Sequence, residues 1–92
     1  MENEHRSLLV GKWLGKKSLL VLSPAGDYQE KDLNGKVKSG GIWGVSGEIF
    51  FILSNQNRSL YRNHQIIELN SSNFSIKELK TKEILLFRRL QE

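Results

Sequence analysis

The chain contains no cysteine, which removes disulfide staples, thiolate nucleophiles and cysteine-ligated zinc by counting alone. Secreted domains of this size often depend on disulfides, so the absence tilts the expectation towards a reducing compartment and a cytoplasmic location. Histidine is nearly as scarce. His5 and His64 stand far apart with no His-x-His or His-Glu-x-x-His spacing, so no metal site is expected. His64 is the one plausible catalytic base, and no Gly-x-Ser-x-Gly elbow supports it. The glycine pair Gly40-Gly41 lies inside a strand pattern rather than in a phosphate-cradling loop. A non-enzymatic protein without catalytic residues or cofactor is the expectation.

Long hydrophobic runs are missing too. Leu8-Leu9-Val10, behind an acidic and polar start, is far too short for a signal-peptide core or a membrane span, so no membrane role is expected. The net charge is +4, yet no basic run is long. Lys16-Lys17, the Lys77, Lys80 and Lys82 group, and Arg88-Arg89 lie apart in sequence, and Glu78 and Glu83 dilute the second cluster. Phosphate neutralisation needs several cations on one surface, so nucleic acid is an unlikely partner on this pattern.

What is present suits a small globular domain. Ninety-two residues, 38% hydrophobic and 26% charged, make one domain spanning residues 1–92. A chain this short buries only roughly 60–65% of its unfolded surface, so each large apolar side chain carries much of the stability. Short apolar segments recur between turn residues, as in all-β barrels and sandwiches. They predict strands over 9–14, 18–22, 28–33, 36–45, 48–53, 59–69, 73–79 and 83–89. Pro24-Ala25-Gly26-Asp27 and Asn34-Gly35 are turns with a mechanism, proline presetting φ and glycine accepting positive φ. The strand from Ser59 to Leu69 is long enough to need a bulge, placed between Tyr61 and Ile66. Gly40-Gly41 reads as a sharp bend. Connections this short join antiparallel neighbours, and a meander of eight strands removes its edges by closing. The expected fold is all-β, a single antiparallel up-and-down barrel with at most one short helical turn within residues 2–10, plugging one end.

Several of these residues carry a resemblance. Gly11-Lys12-Trp13 resembles the Gly-x-Trp signature that opens the lipocalin family and the wider calycin group. The Pro24-to-Asp27 hairpin, Ser39-Gly40-Gly41-Ile42-Trp43 and the terminal Arg88-Arg89 are similar to small bacterial lipocalin-like domains. The resemblance implies a barrel in which one of these two arginines lies over Trp13 and closes the barrel end. It also implies a binding protein rather than an enzyme.

The leading functional expectation is binding of a small, largely apolar molecule in the lumen or mouth. With Trp13 and Trp43 taken as inward, period two brings Val37, Gly41 and Val45 inward as well. The candidate ligand-binding residues are Tyr28, Trp43, Phe51, Tyr61, His64 and Phe74. An eight-stranded interior is just wide enough for side chains or one small ligand, and filling is the expected outcome for strands this short. Glu30 and Asp32 share a face with Tyr28; a solvated edge is expected, with a polar ligand site the alternative if that face is inside. From a different class, the alternative function is a protein-interaction module, an inhibitor or immunity-type partner, using the outer strand and loop surface.

Overall fold

Turn residues interrupt the chain near the expected places, and between them it runs as strand. The computed structural model describes residues 2–55 and 61–90, the side chains of residues 2–4 and of Tyr61 excepted. Helix α1 (Glu2–Leu9) is followed by β1 (Gly11–Leu14), β2 (Ser18–Leu22), β3 (Asp27–Asp32) and β4 (Val37–Ser46). Then come β5 (Ile49–Ser54), β6 (Tyr61–Leu69), β7 (Asn73–Glu78) and β8 (Ile84–Arg89). Each strand pairs antiparallel with the next, and β8 returns to β1 to close an eight-stranded barrel. Closure leaves no long sheet edge.

The turns hold for the reasons the sequence suggests. Gly26 and Gly35 adopt φ of +100° and +89°, open to glycine at little cost. At the β3–β4 turn the Asp32 carboxylate accepts from the Asn34 and Lys36 amides at 2.9 and 3.0 Å. That carboxylate is therefore a turn brace. Ser23 Oγ accepts from the Asp27 amide at 3.2 Å and braces the β2–β3 turn in the same way.

Two details of register depart from expectation. The irregularity in β6 falls between Ile66 and Glu68 rather than between Tyr61 and Ile66, so Ile67 is the extra residue and is exposed. In β4 a second shift sets Glu30 opposite Ser39 but Lys31 opposite Val37, leaving Lys38 over. A bulge reverses the facing of everything beyond it. Val37, expected inward, is therefore outward and 50% exposed. Gly40-Gly41, read as a bend, is a place of close approach. At Gly41 the Leu53 carbonyl and the Tyr28 ring occupy the space a Cβ would need.

The lumen is filled. Trp13, Leu20, Leu22, Tyr28, Trp43, Phe50, Phe74 and Ile76 point inward and are buried, with Leu9 of the helix completing the cluster. Phe74 sits at the centre, its ring 5.3 Å from Trp13, 5.4 Å from Phe50 and 5.7 Å from Phe87. Burying each such side chain is worth ~1.5–3 kcal/mol. Helix α1 is polar on balance and too short to persist alone, so packing on the barrel holds it. It covers the end where β2 runs into β3, β4 into β5 and β6 into β7. There the His5 ring bonds the Gly47 carbonyl oxygen through Nδ1 at 2.9 Å.

Arg89, of the two terminal arginines, closes this end. Its guanidinium carbon lies 4.2 Å from the centroid of the Trp13 ring. Nε donates to Ser71 O at 2.8 Å, Nη1 to Val10 O at 2.9 Å, and Nη2 to Leu8 O. The last carbonyls of α1 thus gain both donors and a cation at the helix C-terminus. Gly11 has φ of +133° and the Arg89 guanidinium occupies the place of a Cβ, so the glycine of Gly-x-Trp makes room for the arginine.

Candidate functional site

The open end is lined by residues that alternation carries inward from four adjacent strands. Tyr28 and Glu30 come from β3, Lys38 and Ser39 from β4, Ile52 and Ser54 from β5, and Arg62 from β6. Register explains why they meet: Tyr28 lies opposite Gly41, Gly41 opposite Ser54, Glu30 opposite Ser39, and Ile52 opposite Arg62. Together they bound a pocket of about 370 Å³. Its floor is Tyr28 and Ile52, the upper surface of the packed lumen.

The charges of this pocket are not used up internally. Glu30 accepts from the Ser39 hydroxyl at 3.4 Å, a long contact. Neither Glu30, Lys38 nor Arg62 has an ion-pair partner among the described residues. Two cations and one anion leave the wall net positive. The Tyr28 hydroxyl likewise has no partner among the described residues, although the ring is 3% exposed. Lys38 owes its position to the bulge, where it is the extra residue between Val37 and Ser39.

Of the six residues expected to bind ligand, the five whose side chains are described do not converge. Among those five, Tyr28 alone lines the mouth. Trp43 lies at the closed end, its Nε1 donating to Ser23 O at 2.9 Å and its ring 4.5 Å beneath the Arg6 guanidinium. Phe74 is the centre of the core. Phe51 was expected on the inner wall and is on the outside, its ring lying over Gly44, while Phe50 takes the inward place opposite Val45 and His64. Trp43 opposite Ile52 sets that phase, so Phe51 must point away. The Tyr61 side chain lies outside the described residues; its backbone pairs with Leu53.

His64 is inward and 3% exposed, its ring 6.0 Å from Phe50. Its Nδ1 is buried with no hydrogen-bond partner. Burial holds its pKa below the ordinary 6.5, partly offset by the Glu78 carboxylate and the Phe50 backbone, with Arg62 adding slightly to the depression. It is a neutral core residue beneath Arg62 rather than a wall of the mouth. Among the described residues no cluster of three His, Asp or Glu could hold a metal ion, and no helix is long and apolar enough to cross a membrane.

Sequence reasoning missed most of the mouth. Glu30 was legible by its phase with Tyr28, and the solvated-edge expectation fails because Tyr28 is buried and sets that face inside. Arg62 shares the phase of His64, a signal of the same kind. Lys38 had none, since the bulge that aims it follows from pairing.

The fold and pocket define a small closed antiparallel barrel with one sealed end and one polar mouth, consistent with a calycin-like fold. Searches against protein-family models, curated proteins and solved structures each return no significant match.

Proposed function

We propose that this chain is a reduced lipocalin-like barrel that binds a small molecule at its open mouth without catalysing a reaction. The carrying observation is a 370 Å³ pocket whose three charged side chains have no ion-pair partners among the described residues. Unpaired charges gathered in one concavity favour an exogenous partner over mutual neutralisation. The packed lumen leaves little depth, so the ligand sits across the mouth. Its apolar part rests on Tyr28 and Ile52. An anionic group meets Arg62 and Lys38, where a guanidinium can grip a carboxylate with two parallel hydrogen bonds. Glu30 accepts from a donor or cationic group on the same molecule.

Dansyl-glycine carries an apolar ring and a carboxylate, and its amide lacks the charge. Fluorescence titration should give one site for the acid and roughly tenfold weaker binding for the amide, the worth of one charge-assisted contact. Arg62→Ala should remove that preference while leaving the melting temperature in place. Equal affinity for acid and amide, or no binding of either at millimolar concentration, rejects the reading.

A further inference from the structure

The barrel closes where its first and last strands meet, and that seam is short. β1 pairs with β8 only at Trp13 opposite Arg89 and Leu14 opposite Arg88, whereas β7 pairs with β8 from Ile84 through Arg88. Two bonds fix which way each residue of β8 aims its main chain. The Arg89 amide donates to Ser72 O at 2.8 Å, and the Leu90 amide donates to Lys12 O at 2.9 Å. Successive residues of an antiparallel strand direct their N–H and C=O groups alternately to the two sides. Leu85 and Phe87 therefore face β7, and Ile84, Leu86 and Arg88 face the seam.

Arg88 finds Leu14 there. Ile84 and Leu86 find no strand, because β1 ends at Leu14 and the chain turns off, the Gly15 amide donating to Ser18 O at 2.8 Å. A Cβ at Gly15 would come within 2.9 Å of the Phe87 ring, so glycine permits the departure at that point. Each of the two residues leaves one N–H and one C=O without a protein partner among the described residues. The same two carry the exposed apolar side chains of the strand, Leu86 at 67% and Ile84 at 55%.

Cations gather around this edge. Lys77 stands opposite Ile84, and Arg88 follows Leu86 by two positions on the same face. Lys80 and Lys82 are exposed in the turn leading into β8, and Lys16 and Lys17 are exposed in the turn across the seam. Glu83, and Glu78 whose carboxylate accepts from the Thr81 hydroxyl at 3.1 Å, are the opposing charges at that turn. Lys16-Lys17, the Lys80 and Lys82 turn and Arg88, scattered in sequence, thus border one gap, with Lys77 one strand behind it.

We propose that the edge of β8 at Ile84–Leu86 receives an extended segment of a partner protein, added as a strand, in which apolar and acidic residues alternate. The bare main-chain groups supply the hydrogen bonds of strand addition. Apolar side chains of the segment cover Ile84 and Leu86, and its carboxylates meet the surrounding lysines and Arg88, which also steers the encounter. A second copy of this chain fits less well. Antiparallel β8–β8 pairing about Leu86 would set Arg88 of each copy opposite Ile84 of the other, two positions from its Lys82-bearing turn, and like charges in adjacent strands are destabilising. A nucleic acid could use the cations but not the strand edge. No aromatic side chain among the described residues is exposed there to stack a base.

The test is an acetylated octapeptide of alternating Val and Glu, titrated into the full chain labelled with 15N and followed by amide shifts and hydrogen exchange. Saturable binding should slow exchange at Leu86 and Ile84. N-methylation of the peptide amides along one edge should weaken it roughly tenfold or more, as should exchanging Glu for Lys or making the Leu86→Ser variant. Arg62→Ala should leave peptide binding unchanged, which separates this edge from the mouth. Absence of binding at millimolar peptide, or binding indifferent to N-methylation, overturns the proposal. So does single-stranded oligothymidylate shifting these amides where the peptide does not, or a concentration-dependent dimer that protects them with no peptide present.

Discussion

At the sealed end of the barrel two arginines are held by main-chain oxygens and indole rings, and at the mouth the three charged side chains have no ion-pair partner among the described residues. Arg89 makes three hydrogen bonds to main-chain oxygens and covers Trp13; Arg6 covers Trp43 and donates to Pro24 O at 3.4 Å. The two indole N–H groups donate to Leu9 O and Ser23 O at 2.8 and 2.9 Å. Glu30, Lys38 and Arg62, on the same inner surface, have no such arrangement. A guanidinium over an indole with its donors satisfied contributes to folding. An unpaired guanidinium at a wet rim contributes almost nothing to stability and remains available to a ligand. The contrast teaches that arginine in this barrel has two roles, separated by what lies beside it.

The largest break in the comparison should come from the sealed end. Trp13→Ala removes a fully buried ring and the Arg89 stack together, and should cost ~3–5 kcal/mol in urea unfolding, enough to leave most of the chain unfolded. Arg89→Ala should cost about 2–4 kcal/mol, from lost charge-assisted bonds and the loss of the stack. A neighbouring pair sharpens the inside–outside assignment of β5. Phe50→Ala should cost ~3–5 kcal/mol and Phe51→Ala, over Gly44 on the outer face, roughly 1 kcal/mol. Equal losses would contradict the register of β5.

A smaller effect links the two regions through His64. The folded state favours the neutral ring, while the unfolded chain protonates near pH 6.5. Stability should therefore be level above that pH and fall as pH drops through it, since the unfolded state then binds the extra proton. Urea midpoints measured from pH 7.5 down to about 5, before carboxylates titrate, should show the decline, and His64→Gln should flatten it. The smallest effect belongs to the mouth: Arg62→Ala should alter stability by less than ~0.5 kcal/mol. A larger loss would mean that the mouth arginine is structural after all.

Strand count, order and most boundaries were legible because they depend on turn chemistry and alternation, both local. Strand β2 begins and ends where expected, at Ser18 and Leu22, and Leu14, Leu69, Asn73 and Arg89 also fall on expected bounds. The others differ by one or two residues, the expected start of β6 at Ser59 lying outside the described residues. Where the first strand was read from Leu9, that residue instead ends α1 and seals the core, a tertiary use of an apolar side chain that either element could have taken. The candidate site was less legible. Of the five expected residues whose side chains are described, four lie away from the mouth, because size and aromaticity mark core packing as readily as ligand contact.

The sequence by itself determined that short antiparallel strands must form, that they must close on one another, and that thiol chemistry is absent. Its turns and its period of two allow little else. Which face of each strand is inside was decided only by tertiary structure, because one bulged residue reverses every side chain beyond it. That is how Val37 came to lie outside and Lys38 to line the mouth. Tertiary structure also brought Lys16 and Lys82 to one seam, since barrel closure sets the first turn beside the last strand. Proximity of that kind depends on pairing between residues more than sixty positions apart, such as Leu14 and Arg88, and no local pattern encodes it.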